Sequence, residues 1–486
     1  MGAYGNKVIQ TPTLDKLAAE GALFEQAFCN TPVCSASRAS YLTGRLPSQH
    51  GVHDWIAGGN GNAPNVAVYP ETEPCGTGIN YTASETAFSD ALKSKGFHLG
   101  FSGKIHVGNQ PLAQHGFEHW FVHQLQSGGG DYQTPPFVVN ATATSPGQCT
   151  LIPGYISDIV ASDVVEQVNV HAKDSKPWYM AMHFTAPHAP YTGPDGLARS
   201  MHPAKYTELY DSISVQEDPL PNQPVAAWQS FASGSCTDWR PQTVTCFAPS
   251  SPACRAGLPG CAACTNGSAV TTSARKEYIK GYFGAVSAMD ANIGRVVDTV
   301  EAAGLTRKTL FIFTSDHGYN VGHHGLCGKG NAGWPLNMFD TSLKIPMIWR
   351  MPGTIKAGAR IQALTQVVDF ANSLLAFVGS FDVDAGPTGY TLPDFANSPG
   401  VSYAHLLRNV SSLQSEVAPA ATATAMAAAL SGGPSPQPDG WRRAGRTQMT
   451  DASMRGLHFG EYGQTRSVRD SLYKYRATKE GLELGC

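Results

Sequence analysis

The amino-acid sequence predicts an α/β chain: a doubly wound, mostly parallel sheet sandwiched by helices, followed by a smaller C-terminal α+β subdomain. Two observations carry that prediction. Helix-period stretches and short apolar runs alternate from Thr11 to about residue 380, the pattern of repeated helix-then-strand units that lays a sheet between helical layers. The chain is also long enough, at 486 residues with 42% hydrophobic content, to bury a sizeable core.

The elements follow in order. Thr11-Pro12 reads as an N-cap with proline at the first helical position, opening an amphipathic helix through Leu14, Leu17 and Ala18 that stops at Gly21. A strand over 22–28 comes next. Helix 85–95 leads into strand 97–102, helix 155–171 into strand 178–184, and the longest helix, 276–303, into strand 309–314. Sheets of this kind bind ligands at the carboxyl ends of their strands. Residues 212–270 lack periodicity and read as a Cys-rich surface insertion, while 411–440 are rich in Ser, Ala, Pro and Gly and read as a flexible one. The predicted division is a catalytic unit over 1–380 and a smaller unit over 381–486.

Composition narrows the function. Lys+Arg 34 against Asp+Glu 37 leaves a net charge of -3, without the basic excess of a nucleic-acid partner. No stretch reaches the ~20 apolar residues of a membrane span, so no transmembrane segment is expected. The 11 cysteines include a cluster at Cys236, Cys246, Cys254, Cys261 and Cys264, and sequons stand at Asn80, Asn140, Asn266 and Asn409. Both features suit a glycoprotein of the secretory pathway, extracellular or lysosomal, although the first residues carry no signal sequence. Disulfides are favoured over zinc for the cluster, because Cys261-Ala262-Ala263-Cys264 lacks a second pair at finger spacing.

The strongest chemical signal is Pro32-Val33-Cys34-Ser35-Ala36-Ser37-Arg38-Ala39-Ser40-Tyr41-Leu42-Thr43-Gly44-Arg45. Cys34 stands where a loop passes into a short helix ending near Gly44, so the positive end of the helix dipole faces it. Arg38, four residues on, shares its helical face, and the pair can hold an anion between them. On spacing alone, a buried Cys with an Arg tying down a neighbouring loop explains the same residues.

This stretch resembles the signature of the type I, formylglycine-dependent sulfatases: Cys-x-Pro/Ala-x-Arg, then an apolar pair and Thr-Gly. Further motifs match in order. Gly103-Lys104-Ile105-His106 at a strand end resembles the second signature; Pro187-His188-Ala189-Pro190 after a strand resembles the family's Pro-His-x-Pro. Thr314-Ser315-Asp316-His317-Gly318 resembles the metal-binding motif, and Gly328-Lys329-Gly330-Asn331 the second active-site lysine. The resemblance runs from Gly2 to about Gly353 and implies an alkaline-phosphatase-like fold. It also implies a reaction, the hydrolysis of sulfate esters, with a sulfated carbohydrate or small molecule as substrate.

Carried over residue by residue, the resemblance makes Cys34 the site of formylglycine, formed by a formylglycine-generating enzyme. Arg38, Lys104, His106, His188 and Lys329 become catalytic residues. Cys34, Asp316 and His317 become ligands of a divalent metal, calcium in the family pattern. The apolar strand that precedes this region in sulfatases, with its adjacent metal-binding Asp pair, is missing here, so unpaired strand edges and an incomplete metal site are expected. A truncated chain explains this more readily than a natural pseudoenzyme. A phosphonate or phosphate ester hydrolase of the same fold, or an inactive binding protein, are the alternatives. His183 reads as a core histidine of its strand. His50, His53 and Trp55 read as packing before pocket lining, and His323 and His324 as loop packing or substrate-edge residues.

Overall fold

The computed structural model describes residues 1–53, 67–72, 76–80, 82–108, 111–123, 132–214, 272–321, 323, 327–330, 338–379, 398–408, 458–462, 465–469, 474–478 and 481–485. Both predicted insertions therefore lie mostly or wholly outside the described residues. The helices are α1 Pro12–Glu20, α2 Cys34–Thr43, α3 Pro47–His50, α4 Phe88–Ser94, α5 Ile156–His171, α6 Ala204–Thr207, α7 Thr272–Ala302, α8 Asp340–Leu343, α9 Phe370–Phe377 and α10 Ala404–Arg408. The strands are β1 Ala22–Phe28, β2 Ala67–Thr72, β3 Gly76–Asn80, β4 His98–Lys104, β5 His119–His123, β6 Pro136–Val139, β7 Gln148–Leu151, β8 Trp178–His183 and β9 Phe311–Thr314. They continue as β10 Asn320–Val321, β11 Cys327–Gly328, β12 Lys344–Arg350, β13 Ala359–Ile361 and β14 Thr365–Gln366. A four-stranded antiparallel meander ends the chain: β15 His458–Tyr462, β16 Thr465–Arg469, β17 Lys474–Thr478 and β18 Gly481–Gly485.

Helical packing follows the apolar spacing. Ala285, Met289, Ile293, Val296 and Val300 recur at intervals of three and four along α7, which puts them on one buried stripe. The upper part of the stripe meets Leu14, Leu17 and Ala18 of α1, and the lower part meets Val164 and Val168 of α5. The predicted Thr11 cap is not made. Thr11 turns its hydroxyl to Asp15, and the carboxylate of Asp290 on α7 instead accepts from the Thr13 and Leu14 amides at 3.0 and 2.8 Å. A distant, buried carboxylate thus satisfies the orphan donors that a local cap would have taken. At the other end of α1, Arg350 of β12 pairs with Glu20 and Glu301, tying α1 and α7 to the sheet.

Two five-stranded sheets form the centre, one ordered β13-β1-β12-β9 with β14 also on β1, the other β7-β6-β5-β4-β8. The α/β class holds, but the ladders are mixed where mostly parallel ones were expected. β4 pairs in parallel with β5 and β8, and β1 with β13 and β14; β12 runs antiparallel to both β1 and β9. A parallel step needs a crossover, usually a helix, whereas the chain from β9 to β12 turns back through short elements.

The parallel register decides where chemistry can occur. Lys104 sits opposite His123, and Gly103 opposite His183, so the carboxyl ends of β4, β5 and β8 finish level. Gly103 permits this alignment. Its φ is +103°, and a side chain there would strike the His183 carbonyl.

β8 and β9 are the end strands of their two sheets, and both line one cavity of about 1550 Å³. Their apolar side chains, among them Met180, Met182, Phe311 and Phe313, are only partly buried, in contrast to β4, which is buried from Leu99 to Lys104.

Replacing Gly103 by alanine should destabilise the protein by more than about 1 kcal/mol, because the residue must keep a positive φ and has no room for a Cβ. Urea unfolding measures this. An unchanged midpoint would show that the β4–β8 ladder does not need the close approach.

Candidate active site

The strand ends, one helix start and two loops converge on Cys34, the first residue of α2, which is 1% exposed. Lys329 Nζ lies 2.8 Å from its Sγ, Lys104 Nζ 3.6 Å and His317 Nε2 3.2 Å. Both lysines are buried. The Gly330 amide donates to Pro32 O at 2.9 Å, fastening the Lys329 loop to the loop that leads into α2. Burial alone would push the thiol up, but the charges of Lys104, Lys329 and His317 and a hydrogen bond with His106 hold it well below its ordinary value. Burial brings Lys104 down to about 8, with the nearby Cys34 working against that shift.

Arg38 is the hub of the frame. Its Nε donates to Asp316 Oδ2 at 2.8 Å, and its Nη1 donates to the Lys104 carbonyl and lies 3.4 Å from His183 Nδ1. One guanidinium therefore links α2, the end of β4, the end of β8 and the loop after β9. The Ser37 hydroxyl donates to the Asp316 carbonyl from the same helix. Desolvation of the half-buried Asp316 would raise its pKa, yet His317 and Arg38 keep it well below the usual carboxylate range.

The histidines can be assigned from their carbonyl partners. Gly318 O lies 2.7 Å from His317 Nδ1, so that nitrogen carries a proton, while Nε2 faces Cys34 Sγ. In the same way His188 Nδ1 donates to Ala189 O at 2.7 Å, leaving Nε2 3.4 Å from Lys329 Nζ. Burial first, then the two lysines, bring His188 down to about 4. His106 is likewise brought to about 4 by burial, and its backbone stands in the left-handed region at φ 54°.

Every residue predicted for the site is present in it: Cys34, Arg38, Lys104, His106, His188, Asp316, His317 and Lys329. The sequence reading missed His123. It is buried, ends β5 opposite Lys104, and among the described residues bonds only Thr185 through Nδ1, at 3.2 Å. Its place at a strand's carboxyl end was the available signal. Tyr132 was also missed; its hydroxyl donates to the His188 carbonyl at 2.6 Å and steadies that loop.

The remaining histidines divide. His183 is in part a packing residue, between Phe101 and Tyr41, as expected of a strand histidine, and it also meets Arg38. His50 is buried, accepting from the Val52 amide and bonding Ser40 Oγ, so it packs and does not line a pocket. His53 is exposed, and His323 Nδ1 accepts from the Val321 amide. Trp55, His324 and Asn331 lie outside the described residues.

Asp316, His317 and Cys34 bring one donor atom each within 4.8 Å of one another. One carboxylate and one imidazole beside a sulfur do not fit calcium, which takes about 6 to 8 oxygens. The Asp316 oxygens are moreover engaged by Arg38 and by the His317 amide at 3.0 Å.

The fold and the cluster define an α/β protein with a buried, cation-lined cysteine at the carboxyl ends of its strands. The chain belongs to the sulfatase family, whose model matches residues 1–380. It is 26% identical over 411 residues to an N-acetylglucosamine-6-O-sulfatase of Bacteroides thetaiotaomicron, covering 78% of this chain and 65% of that protein. It is 23% identical over 394 residues to human iduronate 2-sulfatase, covering 77% and 62%. The chain thus spans less than two thirds of the length of either relative. Among solved structures, a protein in complex with its substrate D-glucosamine-2-N,6-O-disulfate superposes with a TM-score of 0.65 at 21% identity, covering 98% of this chain and 85% of that one. A phosphonate monoester hydrolase from Silicibacter pomeroyi shares the fold at a TM-score of 0.59 and 16% identity, covering 98% and 84%. The family as a whole implies a divalent metal.

Arg38→Met should lower stability by about 1 to 3 kcal/mol, since it leaves the half-buried Asp316 carboxylate without its guanidinium. Adding Asp316→Asn to that variant should recover part of the loss. Equal urea midpoints for wild type and Arg38→Met would refute the pair's role as the hub.

Proposed function

We propose that the chain hydrolyses sulfate esters of a sulfated carbohydrate, with position 34 as the nucleophile after its oxidation to formylglycine. One observation carries the reading: two buried ammonium groups at 2.8 and 3.6 Å from Cys34 at the start of a helix. Three cations, Lys104, Lys329 and Arg38, face one carboxylate and one thiol position. That imbalance suits a bound oxyanion. The carbohydrate assignment is supported by the two relatives, whose names specify sulfated sugars, and by the glucosamine disulfate of the structural neighbour.

Formylglycine, once hydrated, supplies an attacking oxygen and a second hydroxyl through which sulfate can leave with return of the aldehyde. The residues of this chain serve that chemistry as follows. Lys104 and Lys329 neutralise sulfate oxygens, and the dipole of α2 points at the same place. Arg38 holds Asp316 and the end of β4 in register with α2. Lys329 Nζ stands 3.4 Å from His188 Nε2, and that pair delivers a proton to the departing alkoxide. His106, kept neutral by burial, takes the proton whose removal expels sulfate. The described donors do not fit calcium; Asp316 and His317 Nε2 are the groups that would hold a divalent ion.

The compartment reading gains mixed support. Cys149 is disulfide-bonded, which suits an oxidising compartment and leaves the secretory proposal standing. Asn80 is buried, its amide bonded to Gln114 at 2.7 Å, so that sequon is no glycan acceptor; Asn140 is exposed. Asn266 and Asn409 lie outside the described residues. Among the described residues, no helix is long and apolar enough to cross a membrane.

Peptide mass spectrometry of an active preparation should show formylglycine at position 34, and Cys34→Ala should remove turnover while the protein stays folded. An unmodified thiol in an active enzyme would refute the nucleophile assignment. Lys104→Ala and Lys329→Ala should each lower aryl-sulfate turnover by about 10² to 10³, the scale for losing one transition-state charge partner. Aryl phosphate or phosphonate turned over faster than aryl sulfate would favour the phosphonate hydrolase alternative.

A further inference from the structure

Away from Cys34, at the opposite end of β4, three side chains from three segments meet. His98 opens β4, His171 ends α5, and Asp174 lies in the turn between α5 and β8. The length of β4 separates His98 from Lys104 by about 20 Å, at ~3.3 Å per residue. The two imidazoles stack with centroids 5.1 Å apart. Asp174 Oδ2 stands 3.1 Å from His171 Nδ1 and 3.8 Å from His98 Nε2, and one donor atom of each residue lies within 4.8 Å of the others.

We infer that His98, His171 and Asp174 form a second, surface site for a borderline divalent transition ion such as Zn²⁺. Four features carry the inference. The donors are two imidazoles and one carboxylate, a set that zinc accepts, with bonds of about 2.0 to 2.2 Å that small side-chain rotations would bring into reach. His98 is oriented for ligation: its Nδ1–H donates to Glu118 Oε2 at 3.2 Å, which leaves Nε2, on the side of Asp174, as the nitrogen free to bind an ion. Glu118 is in turn held by Lys93. The site also sits at the negative end of the 16-residue α5, which favours a cation, and the three side chains are 29%, 19% and 42% exposed, leaving room for a water ligand.

An isolated ion pair between His171 and Asp174 would explain those two residues alone. A protonated His98 held between Glu118 at 3.2 Å and Asp174 at 3.8 Å would account for the third, and a bound ion would take the place of its Nε2 proton. An ion there would fasten the start of β4 to the α5–β8 turn, beside the rim of the cavity that His171 and Asp174 help to line.

Calorimetric titration of Zn²⁺ into the EDTA-stripped whole chain tests this, together with the electronic spectrum of the Co²⁺-loaded form. The predicted result is one binding equivalent lost in His98→Ala and in His171→Ala but kept in His317→Ala, which separates this site from the active site. Glu118→Gln should weaken the same equivalent by about 10- to 100-fold, the scale for a lost partner of a ligating histidine. Asp174→Asn, in an exposed turn, provides a variant of low folding risk and should weaken binding likewise. Identical stoichiometry and affinity in wild type, His98→Ala and Asp174→Asn would overturn the inference.

Discussion

The buried charge around Cys34 is the constraint on which the rest of the structure depends. Removing two ammonium groups and a guanidinium from water costs several kcal/mol for each ion unless partners compensate. Here the compensation is geometric. Arg38 is neutralised by Asp316 at 2.8 Å, the Lys104 carbonyl accepts from Arg38, and Lys329 rests on Cys34 and close to His188. The depressed value of Lys104, about 8, records what remains uncompensated. A site with this residual positive charge is ready for an anion, and its stability and its chemistry share the same groups.

Holding those groups together requires the strand ends to finish level. The parallel β4–β5 and β4–β8 ladders provide this, and they in turn need Gly103 where a side chain would push His183 away. Behind the sheet, the apolar stripe of α7 packs against α1 and α5, and Arg350 anchors the far end. On one side β8 and β9 each end a sheet and line a shared cavity, which Cys34, Arg38, Lys104, His183 and Asp316 line as well.

Much of this was legible in the sequence, for definable reasons. Periodicity located α1, α5, α7, β1, β4, β8 and β9 to within a few residues, because burial on one face imposes it. Strand direction was not legible, since the pairing of β12 depends on how the chain turns after β9, which no local pattern encodes. The α1 cap was misread for the same reason: Asp290, distant in sequence, accepts from the Thr13 and Leu14 amides, while the Thr11 hydroxyl donates to Asp15. At the site, short motifs carried every predicted residue of the cluster, since these residues stand at or beside strand ends and the start of α2. His123 escaped because it sits in an ordinary apolar strand, and only the register with Lys104 brings it to the cluster. The Asn80 sequon shows the converse, a motif present in sequence and cancelled by burial.

The central claim is that Lys104 and Lys329 make position 34 a seat for a sulfate group. Isothermal titration of inorganic sulfate into the whole chain, with Lys329→Met in parallel, tests it most directly. The account predicts one sulfate site in the wild-type protein, weakened at least about tenfold in the variant, as loss of a charge-assisted contact of about 1.5 to 3 kcal/mol requires. Equal affinity in the two proteins, or no sulfate binding to the wild type, would contradict it.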